Sequence, residues 1–120
     1  ITADTIVWLN GVVMGKPKDE LDACNMLRKL SGKTHQVVTG VCLTTTDKQT
    51  SFSTVTDVTF AELTEEEIQY YVSNYRPMDK AGAYGIQEWI GYIGVRAMSG
   101  SYFNVVGLPI QRLYTELKNI

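Results

Sequence analysis

The chain has 120 residues, 44% hydrophobic and 20% charged, with a formal net charge of −2. That length and balance suit one globular domain spanning residues 1–120. The slight acidity argues against a surface built to grip a nucleic acid polymer, and no apolar run approaches the ~20 residues that a membrane span needs.

Residues 1–9 alternate as a strand, with Ile1, Ala3, Thr5, Val7 and Leu9 on one face and Thr2, Asp4, Ile6 and Trp8 on the other. Asn10 and Gly11 both tolerate positive φ, which predicts a two-residue hairpin into a return strand at Val12, Val13 and Met14. Pro17 ends that strand, and Asp19 can cap a helix carrying Leu21, Cys24, Leu27 and Leu30, with Gly32 as its stop. Two long strands follow over residues 35–46 and 50–60. Val37, Thr39, Val41 and Leu43 share a face on the first, and Phe52, Thr54, Thr56, Val58 and Phe60 on the second. Thr64 and Glu67 form a capping box for a helix bearing Ile68, Tyr71 and Val72, which Arg76-Pro77 breaks. A further strand is expected near residues 92–97, then a Gly-Ser turn, then a terminal helix opened by Pro109 and bearing Leu113 and Leu117. This order predicts an α/β domain with a mixed twisted sheet and flanking helices. Cys24 and Cys42 lack metal-ligand spacing and read as two reduced thiols of a cytoplasmic protein.

Two segments far apart in the chain carry the chemistry. One is Ala3-Asp4-Thr5 followed by Gly15-Lys16-Pro17, and the other is Asp79-Lys80-Ala81-Gly82-Ala83-Tyr84-Gly85-Ile86-Gln87. Each sets charged or amide groups beside glycines, where backbone can approach a ligand closely. Asp4 stands out because aspartate is depleted from strands, and a buried carboxylate needs a cation or donors. It can hold a metal or take a proton from water; it can equally be a strand aspartate bonded to backbone or paired with Lys16. Lys16 and Lys80 are mobile point charges suited to phosphate oxygens, though each also fits a solvated loop. The Gln87 amide offers one acceptor and two donors, enough for the N3–H and carbonyl of uracil or thymine, but by flipping it matches cytosine as well. His35, the single histidine, has no second ligand beside it and is expected to be structural. Tyr84, inside the glycine-bearing loop, is a candidate for stacking on a base. A carboxylate, two lysines and an amide can together handle a metal, a polyphosphate and a base edge, which points to metal-assisted nucleotide hydrolysis.

The chain also resembles the Maf family of nucleoside triphosphate pyrophosphatases, first named for septum formation. The resemblance rests on Ile1-Thr2-Ala3-Asp4-Thr5, Gly15-Lys16-Pro17, Leu30-Ser31-Gly32-Lys33-Thr34-His35, Thr39-Gly40, residues 80–87, Gly100-Ser101-Tyr102 and Val105-Val106-Gly107-Leu108-Pro109. Residues 80–87 look like the branch acting on dTTP and UTP. The resemblance implies a Maf and inosine-triphosphatase-like architecture, Mg²⁺ or Mn²⁺ as cofactor, and a homodimer. It makes Asp4 the proton acceptor and a metal ligand, Lys16 an active-site residue, and Thr5 and Gln87 specificity positions, with Lys80 and Tyr84 as further substrate contacts. Thr5 faces away from Asp4 on a regular strand, so its role predicts a local bend or bulge. Family members begin with a loop containing Ser-Pro-Arg-Arg, followed by a helix and a glutamate near the metal. None of these precedes Ile1, so the chain reads as the C-terminal two-thirds of such a protein, and as a fragment it is expected to associate and to show little pyrophosphatase activity. The alternative function is a non-catalytic nucleotide-binding or regulatory module linked to cell division.

Overall fold

Alternating apolar residues build the sheet in a computed structural model that describes residues 1–119. Strand β1 (Thr2–Leu9) turns through Asn10 and Gly11, at φ of 49° and 82°, into β2 (Val12–Met14). The long strands β3 (Thr34–Thr44) and β4 (Gln49–Phe60) form a second hairpin, and β5 (Val95–Ser99) closes a sheet of order β2-β1-β3-β4-β5. The α/β class is as expected, and among the described residues every strand pairing is antiparallel, where a mixed sheet was expected. Helix α1 (Glu20–Leu30) does cross between β2 and β3, which run the same way. Because β1 is inserted between them, no parallel ladder forms.

Helix α1 starts where Asp19 accepts the Asp22 N–H at 2.7 Å, and it buries Cys24, Leu27 and Leu30, while Leu21 faces solvent. Helix α2 (Glu65–Tyr75) carries the full reciprocal capping box of Thr64 and Glu67 and buries Ile68, Tyr71 and Val72. Such a cap is worth about 1 kcal/mol. Both helices pack on the inward face of the sheet, against Val7, Leu9, Val37, Val58 and Phe60, and Ala83, Tyr84, Ile86 and Ile90 complete the core.

The chain after α2 departs from the expected elements. Residues 92–94 belong to a short helix, α3 (Trp89–Gly94), and the strand begins only at Val95. The stretch is apolar enough for a strand, but helical winding buries Ile90 and Gly94, four residues apart, on one side. Past Gly100, Ser101 caps an unexpected helix, α4 (Tyr102–Val106), whose Asn104 is fully buried against β3 and β4. Helix α5 (Ile110–Lys118) follows Pro109 as expected, yet it buries none of its residues, and Leu117 is 47% exposed.

Candidate functional site

Strand β2 pairs with only three residues of β1, Val7, Trp8 and Leu9. Residues 2–6 of β1 are therefore paired on the β3 side alone among the described residues. After Met14 the chain leaves the sheet through Gly15 and Lys16, and the loop between α2 and α3 folds onto that exit. The Gly82 N–H donates to the Gly15 carbonyl at 3.1 Å. Gly82 has φ of 69°, and a Cβ there would meet Val7 Cγ2 at 2.8 Å, so glycine lets the loop lie directly on β1.

The result is a cleft of about 210 Å³ along the open edge of β1. Ala3, Asp4, Thr5 and Val7 form one wall, Lys16 and residues 79–81 the rim, Tyr84, Gly85 and Gln87 the loop side, and Val105, Val106 and Gly107 at the end of α4 the far side. All six candidate residues, Asp4, Thr5, Lys16, Lys80, Tyr84 and Gln87, are brought together here. The bend or bulge expected at Thr5 is absent, since β1 pairs with β3 in unbroken register from Thr2 to Trp8. Asp4 and Thr5 point to opposite faces, and both reach the cleft because it straddles an edge instead of lying on one face.

Asp4 is exposed rather than buried, and no ion pair joins it to Lys16 among the described residues. Its cross-strand neighbour is Gly40, where nothing crowds the space a side chain would take. The carboxylate is thus open to solvent and to a ligand. Lys80 Nζ lies 3.2 Å from Asp79 and 4.0 Å from Glu88. The Lys80 hydrogen bond holds the Asp79 carboxyl below its usual range, with a smaller contribution from the charge of Lys16. Both lysines therefore act on the same small volume. Beneath them, the Tyr71 hydroxyl donates to Glu88 Oε1 at 2.7 Å and accepts the Gly85 N–H at 3.0 Å, tying the loop to α2. Burial, and then the bond to Glu88, raise the pKa of Tyr71, so it stays a neutral donor.

Tyr84 is a floor to the cleft, not a free stacking plate. Its ring packs edge-on to Phe60 at 4.9 Å, and its hydroxyl lies 2.7 Å from His35 Nε2. His35 is a core residue, as expected: it is fully buried, it is not among the residues lining the cleft, and desolvation lowers its pKa to about 4. Cys24 is buried and Cys42 half-buried, and neither is bonded to another cysteine. Among the described residues no three His, Cys, Asp or Glu side chains converge as a metal-binding group.

Sequence reasoning passed over Asp79, Glu88 and Tyr71 as neighbours of Lys80, and Thr39 and Asn104 behind Thr5. The inward threonines at 39, 54 and 56 were a readable signal, since hydroxyls on a core-facing strand demand polar partners. Asn104 within Tyr102-Phe103-Asn104-Val105-Val106 is the partner they find.

Comparison with known proteins gives concordant results. A family model described as "Maf-like protein" matches residues 1–120. A dTTP/UTP pyrophosphatase of Phocaeicola vulgatus is 76% identical over 120 residues, covering 100% of this chain and 62% of that protein. One of Bacteroides thetaiotaomicron is 67% identical over the same coverage, and one of Flavobacterium psychrophilum is 54% identical over 99% of this chain and 61% of its own length. The chain thus spans about 62% of the length of the curated relatives it matches.

Proposed function

The chain belongs to the Maf family, and on that premise we propose that it is a nucleoside triphosphate pyrophosphatase that hydrolyses dTTP and UTP to the monophosphate and pyrophosphate. The observation that carries the reading is the docking of the 79–87 loop onto the exit from β2, with Gly82 bonded to Gly15. It sets two lysines and an amide around an accessible carboxylate. The names of the relatives support the choice of base.

Asp4 takes the proton of a water that attacks the α-phosphorus in line, and pyrophosphate departs from the opposite side. Lys16 and Lys80 neutralise charge on the phosphate oxygens. Asp79 and Glu88 hold the Lys80 ammonium at the rim, and Tyr71 fixes Glu88 in turn. Gln87 and Thr5 meet the edge of the base, over the floor formed by Tyr84. Asp4 is the residue of this chain that would hold Mg²⁺ or Mn²⁺, and the cation would supply charge neutralisation to the triphosphate. The protein acts in the cytoplasm, where its substrates are made. It works as a homodimer, a second copy covering apolar side chains such as Ile110, Tyr114 and Leu117 that α5 leaves exposed.

Pyrophosphate release from a panel of nucleoside triphosphates, by this chain and by the complete gene product, tests the reading. Turnover confined to dTTP and UTP is the expected result. Tight binding of those nucleotides by the complete product without turnover would replace it with a non-catalytic module.

A further inference from the structure

Thr5 and Thr39 face each other across the β1–β3 pair, and their hydroxyl oxygens are 2.9 Å apart. Thr39 is fully buried, and its hydroxyl oxygen also lies 3.1 Å from the main-chain carbonyl oxygen of Asn104. A carbonyl has no proton to give, so Thr39 donates to it. A hydroxyl carries a single proton. With that proton spent on Asn104, Thr39 can only accept from Thr5, and Thr5 must donate inward. What remains for the cleft is lone pairs alone. The Thr5 hydroxyl does reach the cleft: Thr5 lines it, and a Cβ built on Gly107 of the far wall would stand 3.8 Å from the Thr5 oxygen.

The Asn104 carbonyl is held in place. The Asn104 side-chain nitrogen lies 3.0 Å from Val37 O, 2.9 Å from Thr56 Oγ1 and 3.3 Å from Thr54 O, so its two protons are shared among these three acceptors, and its side-chain oxygen accepts from the Thr54 hydroxyl. All these partners sit on β3 and β4, so helix α4 is locked to the sheet beneath the cleft. Turning the Thr39 proton toward Thr5 would break its buried bond to Asn104.

We propose that Thr39 is a specificity-determining positioning residue: relaying the Asn104 carbonyl, it makes Thr5 an obligate acceptor toward the base, selecting the N3–H of uracil or thymine and rejecting cytosine, whose N3 is itself an acceptor. This rests on the reading of the cleft as a pyrimidine nucleotide site. It also supplies what Gln87 lacks, because an amide can flip to match either base, whereas the Thr5 proton is committed.

The test is the ratio of kcat/KM for UTP over CTP in the complete gene product, for wild type, Thr39→Val and Thr39→Ser. Valine keeps the shape and frees the Thr5 proton to turn outward, so the ratio is expected to fall about five- to tenfold, the worth of one hydrogen bond. Serine keeps the relay and the ratio. In a Thr5→Val background, where the ratio is already lowered, Thr39→Val is expected to change it no further. Calorimetric binding of the non-hydrolysable α,β-imido analogues of UTP and CTP runs beside the kinetics. A uridine preference in binding that falls in Thr39→Val, without hydrolysis by any variant, upholds the relay and removes the pyrophosphatase reading. Normal hydrolysis with the same ratio in wild type and Thr39→Val overturns the relay and leaves that reading standing. Binding of neither analogue overturns both. If Thr39→Val does not fold, Thr5→Val decides, and an undiminished ratio there overturns the proposal.

Discussion

Acid should destabilise this protein through His35 as well as through its paired carboxylates, and the histidine's share can be sized. His35 sits between Phe60 and Tyr84, with ring centroids 5.1 and 5.4 Å away, and its Nδ1 has no hydrogen-bond partner among the described residues. Burial lowers its pKa from 6.5 to about 4. The unfolded chain binds the proton near the higher value and the folded protein only near the lower. Between the two, the unfolded state therefore holds more protons, and stability falls as pH falls. At roughly 1.4 kcal/mol per pKa unit, acidification from neutrality to the folded pKa removes about 3 kcal/mol. That is a large share of the ~5–15 kcal/mol that holds a typical domain together. Urea unfolding between neutral and mildly acidic pH, for wild type and His35→Phe, isolates the contribution from that of the carboxylates. Wild type is expected to lose stability with acid more steeply than the variant by about that amount. Because the chain has one histidine, a single imidazole resonance reports the folded pKa directly. A resonance titrating near 6.5 in the folded protein, or equal pH slopes in the two proteins, would refute the reasoning. The functional link is Tyr84, whose hydroxyl rests on His35 while its ring floors the cleft.

Asp4→Asn in the complete gene product is expected to keep the fold, since the residue is exposed, and to lose roughly 10²–10⁴-fold in turnover with its proton acceptor; wild-type turnover by the folded variant would remove Asp4 from the mechanism. Gln87→Ala should narrow the preference for UTP over purine nucleotides by about tenfold while changing triphosphate affinity less, because on the proposed reading it deletes a base contact and no phosphate contact. Competition between nucleotides measures this. Gly91→Ala should lower stability by about 1–3 kcal/mol and impair nucleotide binding at the same time. Its Cβ would enter the space of the Ile86 carbonyl, and the relief must displace the segment that carries Gln87. Thermal unfolding and a binding assay on the same sample check both halves.

Local physics was readable along most of the chain. The Asn10-Gly11 turn, the Asp19 cap, the Thr64 and Glu67 box and the inward alternation of β3 and β4 each depend on neighbours a few residues away, so sequence alone determined them. The same holds for the composition of the site: a strand carboxylate, two lysines beside glycines and a terminal amide are visible as residue types. Tertiary structure decided what those types do. Whether the sheet was mixed depended on β1 being inserted between β2 and β3, a choice of neighbours that no local pattern encodes. Ile90 and Ile93 lie in an apolar stretch that suits a strand or a helix turn, and the helix is the winding that buries Ile90 and Gly94 on one side. Thr5 gained its place in the cleft from the short reach of β2, not from a bulge, because an open edge admits side chains from both faces. Thr39 and Asn104 lie 65 positions apart, and only folding brings their hydrogen bond into being. Hydrogen-bond direction is a property of the assembled network, since each proton is assigned by the partner beyond it.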